Sequence, residues 1–351
     1  MERPGEPGRV ALWAAGEGDG EFTVLELGED FARVARDDGA EPLVLRPAPP
    51  DSRPPAASGV PSRAPGVVPG RWAALRPSSA EPSRRPRINR ATLAAEGARL
   101  SVSACDAATV EDCVTTNCRG DGYYALGGDA VFRNCSAASV GGAGFRLIDG
   151  GAVDPEDCTV EGFAAESGAA GFSLVRCGDA ALNRCAAAFG LGDGLSLHDG
   201  GTGPYPDGAF RATVTNLLAR EVPCGVRVGA ACTATLRHLT TDADGTGLHV
   251  AGGAAAAINS LFVGGTHGVR RDAGTLALDH VLLHGPTPAA GALPGPNDLL
   301  ADPGFRDAAG DLRLVVGSPA INAGRDLGGT VDDDLTGAPR PSFGRCKLGA
   351  Y

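Results

Sequence analysis

Little in this chain can fill a globular core: aromatics make up 5% of its 351 residues and there is one methionine. Its apolar residues must therefore be buried in thin layers rather than in one thick centre. No run of about 18 apolar residues occurs, which leaves no candidate membrane-spanning helix. Basic charge is not in excess, since the net charge is −11. That balance disfavours non-specific partners such as nucleic acid or anionic membrane. The ten cysteines include no Cys-x-x-Cys pair, so the usual zinc and redox spacings are missing. The opening Met1-Glu2-Arg3-Pro4-Gly5-Glu6 shows neither the basic start nor the apolar stretch of a secretory signal. The expectation is a cytoplasmic or particle-associated protein, reaching a surface only by a non-classical route.

Glycine is abundant, with 53 residues, and so is repetition. From Val110 to His284 one half of a unit reads apolar-x-x-apolar, closed by Cys113, Cys135, Cys158, Cys185, Leu217, Leu239, Leu261 and Val281. The intervals between those closing positions are 22, 23, 27, 32, 22, 22 and 20 residues. The other half reads Gly-apolar-x-apolar, as in Gly144-Phe145-Arg146-Leu147 and Gly225-Val226-Arg227-Val228. A fixed period of this size with short alternating strands predicts a solenoid of stacked coils. Four cysteines share a slot that later repeats fill with Leu or Val, so they read as small apolar residues and free thiols.

The chain divides into four expected regions. Residues 1–45 suggest a small β module, with short β runs separated by Gly-Asp and Asp-Asp-Gly turns. Residues 46–87 form a Pro/Arg-rich stretch expected to be an extended linker, because 12 prolines lie between Pro42 and Pro86. Residues 88–285 hold the coils. Residues 286–351 are read as a C-terminal cap.

The period, the Gly-apolar-x-apolar strand, and the Asn and Cys residues at the coil corners resemble right-handed parallel β-helix proteins of the pectin-lyase-like class. The resemblance implies an all-β, right-handed parallel β-helix solenoid. The C-terminal residues Asp302-Pro303-x-Phe305, Gly317-Ser318-Pro319-Ala320-Ile321-Asn322-Ala323-Gly324 and Asp334-Leu335-Thr336-Gly337-Ala338-Pro339-Arg340-Pro341 are similar to the choice-of-anchor Q domain. In β-helix lyases of the resembled class an arginine or lysine serves as base and acidic residues bind calcium. Calcium is thus the one cofactor left open, and no metal site is otherwise assigned.

Parallel coils set equivalent positions about 4.8 Å apart, so one slot becomes a file along the solenoid. The x residues of Gly-apolar-x-apolar are expected outside. They are Tyr124, Arg146, Ser173, Ser196, Arg227, His249 and Arg270. An aromatic, cations and hydroxyls in one line suit an acidic or neutral sugar chain, and a solvated face is the plainer explanation of the same residues. The insertion 198–208 carries Tyr205 as a further ligand-binding candidate and His198, Asp199 and Asp207 as catalytic candidates, because Asp/His and paired carboxylates can do acid–base work on a glycosidic bond. Gly265-Thr266-His267-Gly268 resembles the Gly-His-Gly of polygalacturonases, without the acidic motifs that precede it there. Asp332-Asp333-Asp334 reads as a structural turn before a calcium site. The leading expectation is a β-helix that engages polysaccharide on the outer file, with cleavage left open. The alternatives are a structural spike or fibre-like component of a phage or phage-like particle, assembled as a homo-oligomer or through the N-terminal region, and an acidic-polysaccharide lyase or glycoside hydrolase.

Overall fold

The computed structural model describes residues 107–351 apart from 165–168, 199–209, 308–309 and 341–345, and before residue 107 the backbone of eight strands between Arg9 and Ser103. The chain forms an all-β parallel solenoid of about eight turns. Each coil lays down a strand on each of three faces. Cys224–Val228, Cys232–Arg237 and Thr240–Ala243 make one such coil. They pair in parallel with Thr246–Val250, Ala254–Ile258 and Leu261–Gly264 of the next.

The glycine of the repeat is explained by the stacking. A Cβ at Gly144, Gly171, Gly194, Gly225 or Gly247 would stand 2.5–2.7 Å from the carbonyl oxygen of the glycine one coil further on. A backbone oxygen cannot swing aside as a side chain can, so only hydrogen fits this slot. Gly225→Ala, whose Cβ would also meet the Thr241 methyl at 2.6 Å, is expected to cost about 1–3 kcal/mol or more through overpacking. A denaturant midpoint unchanged from the parent would contradict that packing.

Inside, Tyr123, Phe145 and Phe172 stack with ring centroids 4.4 and 5.0 Å apart. The thiol file is also present. Cys113, Cys135, Cys158 and Cys185 are buried, and each Sγ donates to the carbonyl two residues before it, at 3.1, 3.3, 3.3 and 3.4 Å. All nine described cysteines are free and buried. Burial pushes the Cys158 thiol well above its ordinary value and Cys224 up to about 12, so these are inert thiols rather than nucleophiles.

One position of the repeat is corrected. Leu261 stands opposite Thr240, not Leu239, and the residue that continues the closing file is Ser260. Its hydroxyl repeats the cysteine bond, donating to the Ile258 carbonyl at 2.9 Å, and accepts from the Leu239 N–H at 3.1 Å. Leu261 looks like a core residue because it is buried from outside. The C-terminal segment covers it in a small cluster with Leu282, Ala320 and Leu348.

That segment also runs along the flank of the coils. Gly349 N–H donates to Asn259 O, Ala350 N–H to Thr240 Oγ1, and Arg184 Nη1 to Asp333 Oδ2 at 2.8 Å. Asp334 Oδ1 accepts from Thr336 and Ala338. These two aspartates are thus engaged in the turn and in its contact with the corner. At the other end, Arg9–Ala14 pairs in parallel with Trp72–Pro77, which pairs with Leu100–Ser103. Glu21–Leu27 pairs antiparallel with Ala32–Arg36. Trp72–Pro77 lies within the stretch expected to be linker; it has no proline before its last residue, so nothing breaks the ladder until Pro77.

Candidate functional site

The x residues do share one file. Tyr124 faces Arg146, Arg146 faces Ser173, and Ser173 faces Ser196; Arg227, His249 and Arg270 follow in unbroken register. Flanking residues such as Phe172, Leu174, Val226 and Val228 are buried inside, so alternation sends the intervening side chains outward.

The middle of the file departs from expectation. Ser173 is 0% exposed and Ser196 7%, and among the described residues Ser173 Oγ has no hydrogen-bond partner. Two groups of polar residues therefore remain accessible, one on either side of the serines.

In both groups the cations carry carboxylate partners that the sequence reading did not pick out. Arg146 Nε donates to both oxygens of Asp121 at 3.0 Å. Arg227 donates from Nε and Nη2 to Asp193 at 2.5 and 3.1 Å, and that bond raises its pKa against the cost of burial. Arg270 donates to Asp272 at 2.7 and 3.0 Å. The Arg270 bonds, then that from His249, hold the Asp272 carboxyl below the usual range. A signal was available: Asp121 and Asp193 each sit directly before a repeat glycine, at Gly122 and Gly194.

His249 joins two of these pairs. Arg227 Nη1 lies 2.6 Å from His249 Nδ1, and His249 Nε2 lies 2.9 Å from Asp272 Oδ2. A guanidinium can only donate, so Nδ1 is the acceptor and the imidazole proton sits on Nε2, pointing at Asp272. The chain Asp193–Arg227–His249–Asp272–Arg270 is a continuous hydrogen-bonded strip across four coils.

The catalytic candidates fare differently. His198 ends the strand Asp193–His198 opposite Val175 and is half-buried. Asp199, Tyr205 and Asp207 lie outside the described residues.

Residues 81–206 match a family model described as a right handed beta helix region. The solenoid is a right-handed parallel β-helix. The matched stretch covers about a third of the β-helix chain, and its coils continue in the same register well beyond residue 206. No curated protein matches this chain. Within the β-helix the pairing of strands accounts for the placement of every residue in the file.

A second polar cluster was missed by the sequence reading. His238 is 1% exposed at a coil corner, at φ 53°. Asn259 Nδ2 lies 3.2 Å from its Nε2 and 2.7 Å from Arg325 O, while Asn259 Oδ1 accepts from Arg325 N at 2.8 Å. Those two contacts to Arg325 fix the amide orientation, so Nε2 accepts and Nδ1 carries the proton. Burial, then the charge of Arg340, pushes the His238 pKa down to about 3, against the Gly349 carbonyl. The signal was its slot: Asn134, Asn216 and Asn259 occupy the same corner with φ of 50–53°.

Proposed function

We propose that the protein binds neutral polysaccharide along the first face, through Tyr124 and the Arg–Asp pairs flanking the buried serines. The observation carrying this reading is that Arg146, Arg227 and Arg270 sit in one file, each beside a carboxylate. Such a pair offers planar donors next to acceptors, which matches sugar hydroxyls that both donate and accept. It also cancels the charge that would draw in an acidic chain, and the protein as a whole is at −11. The same arrangement favours binding over lyase chemistry, since an arginine held by a carboxylate is a poor base.

The test is affinity electrophoresis in gels containing neutral or acidic polysaccharides. Retardation is expected in a neutral gel. Tyr124→Ala should weaken it about tenfold, corresponding to loss of an aromatic contact of about 1.4 kcal/mol. No retardation in any gel, with sedimentation showing a defined oligomer, would replace this reading with that of a structural component. Following the same mixtures for reducing ends and unsaturated products decides whether cleavage accompanies binding.

A further inference from the structure

A groove of about 570 Å³ runs between the second face of the last coils and the loop 325–330. Its floor is apolar: Ala256, Ile258, Ala277 and, from the loop, Leu327. That volume is within the usual range for small-molecule sites, roughly 300–1,000 Å³. The loop wall is anchored. Arg325 exchanges two backbone hydrogen bonds with the Asn259 amide at 2.7 and 2.8 Å and reaches Asp279 at 3.2 Å. Thr330 closes onto Leu327 O.

At one end of the groove stands Arg237, half-buried. Its neighbours in the file are Thr215 and Ile258, neither of which can neutralise it. Among the described residues its guanidinium meets no hydrogen-bond or ion-pair partner. Earlier in the same file Arg133 stands between Glu111 and Glu156 and is bonded to both at 3.3 and 3.5 Å. The same slot thus holds one cation compensated by the fold and one left, among the described residues, with all its donors unused beside a cavity. The groove carboxylates are more fully employed. Asp279 is engaged by Asn297, His280 and Arg325, and Asp326 Oδ1 accepts the Gly328 N–H.

We propose that this groove binds a small carboxylate with an apolar body, an alkyl or aryl carboxylate. Its head takes two parallel N–H bonds from Arg237. Its body lies on the alanine and leucine floor. This site is separate from the first face and does not rest on glycan binding there.

Octanoate titrated into the full chain, with octanol and glucuronate as controls, tests the proposal by alanine-methyl NMR and calorimetry. Octanoate is expected to shift the Ala256 and Ala277 methyls to saturation, with octanol and glucuronate at least tenfold weaker. Arg237→Gln, which breaks no hydrogen bond or ion pair among the described residues, should weaken octanoate at least tenfold and leave octanol unchanged. Equal octanoate affinity in Arg237→Gln would overturn the role of the guanidinium. Octanoate shifts confined to other methyls, or glucuronate binding as tightly, would overturn the site or its apolar character.

Discussion

Phe145→Ala should lower stability by about 4 kcal/mol, the usual cost of emptying a fully buried aromatic site. Phe145 is 0% exposed and lies between Tyr123 and Phe172 in the stack, with Phe132 edge-on at 5.4 Å. Removing the ring therefore takes contacts from three coils at once. Tyr123 cannot tip into the gap, because its hydroxyl donates to Cys113 O at 2.6 Å and lies 3.0 Å from Ser136 O. The lining stays in place and a cavity remains, which is the expensive case. In a solenoid each coil is stable only through its neighbours. The loss should accordingly appear as an early, separate transition of the coils before residue 145, followed by tyrosine fluorescence in urea. Phe145→Leu should recover roughly half of the deficit. A Phe145→Ala midpoint within about 1 kcal/mol of the parent would mean that the aromatic stack does not hold these coils together.

Much of this architecture could be read directly from the repeat, and the failures have a common cause. Gly144, Gly171, Gly194, Gly225 and Gly247 mark a slot where one coil touches the next, so stacking and register follow from their spacing. The first-face file came out in order because parallel pairing leaves no other alignment for Gly-apolar-x-apolar strands. Local periodicity, however, carries no information about what lies against the outside of a coil. Leu261 was placed in the closing file because its exterior cover, Ala320 and Leu348, is contributed by a segment remote in sequence. Pairings such as Arg227 with Asp193, 34 residues apart, and Arg184 with Asp333, 149 apart, depend on the same three-dimensional stacking. The paired cations then narrow the proposed ligand from acidic or neutral sugar to neutral sugar. The unpaired Arg237 was not distinguishable from Arg133 until their neighbours in the file were known.

Acidification should loosen the C-terminal segment well before carboxylates titrate, and His238 is the reason. The folded protein holds this imidazole at about 3 against its ordinary 6.5. Folding therefore favours the neutral form, and below pH 6.5 the unfolded chain takes up a proton that the folded chain refuses. Stability is complete above pH 6.5 and is lost as pH falls towards 3, by about 2 kcal/mol at pH 5 and on the order of 4 kcal/mol at pH 3. Asp334 acts only lower down. Burial raises its pKa, but bonds from Thr336 and Ala338 outweigh that and leave it depressed, so its contribution is lost only below its unfolded range. Asp242, raised by burial and by Asp244, has the opposite slope and offsets part of the fall near the carboxylate range. The window from pH 6.5 to 5 thus belongs to His238. Thermal midpoints across it should decline in the parent and stay level in His238→Asn, because Asn suits the left-handed corner, as Asn216 and Asn259 show. The release should be local. Amide protection factors at Gly349 and Ala350, whose N–H groups donate to Asn259 and Thr240, should fall at pH 5, while those of coil amides such as Leu195 do not. Identical pH profiles for parent and His238→Asn would locate the acid response elsewhere and leave the corner histidine a packing residue.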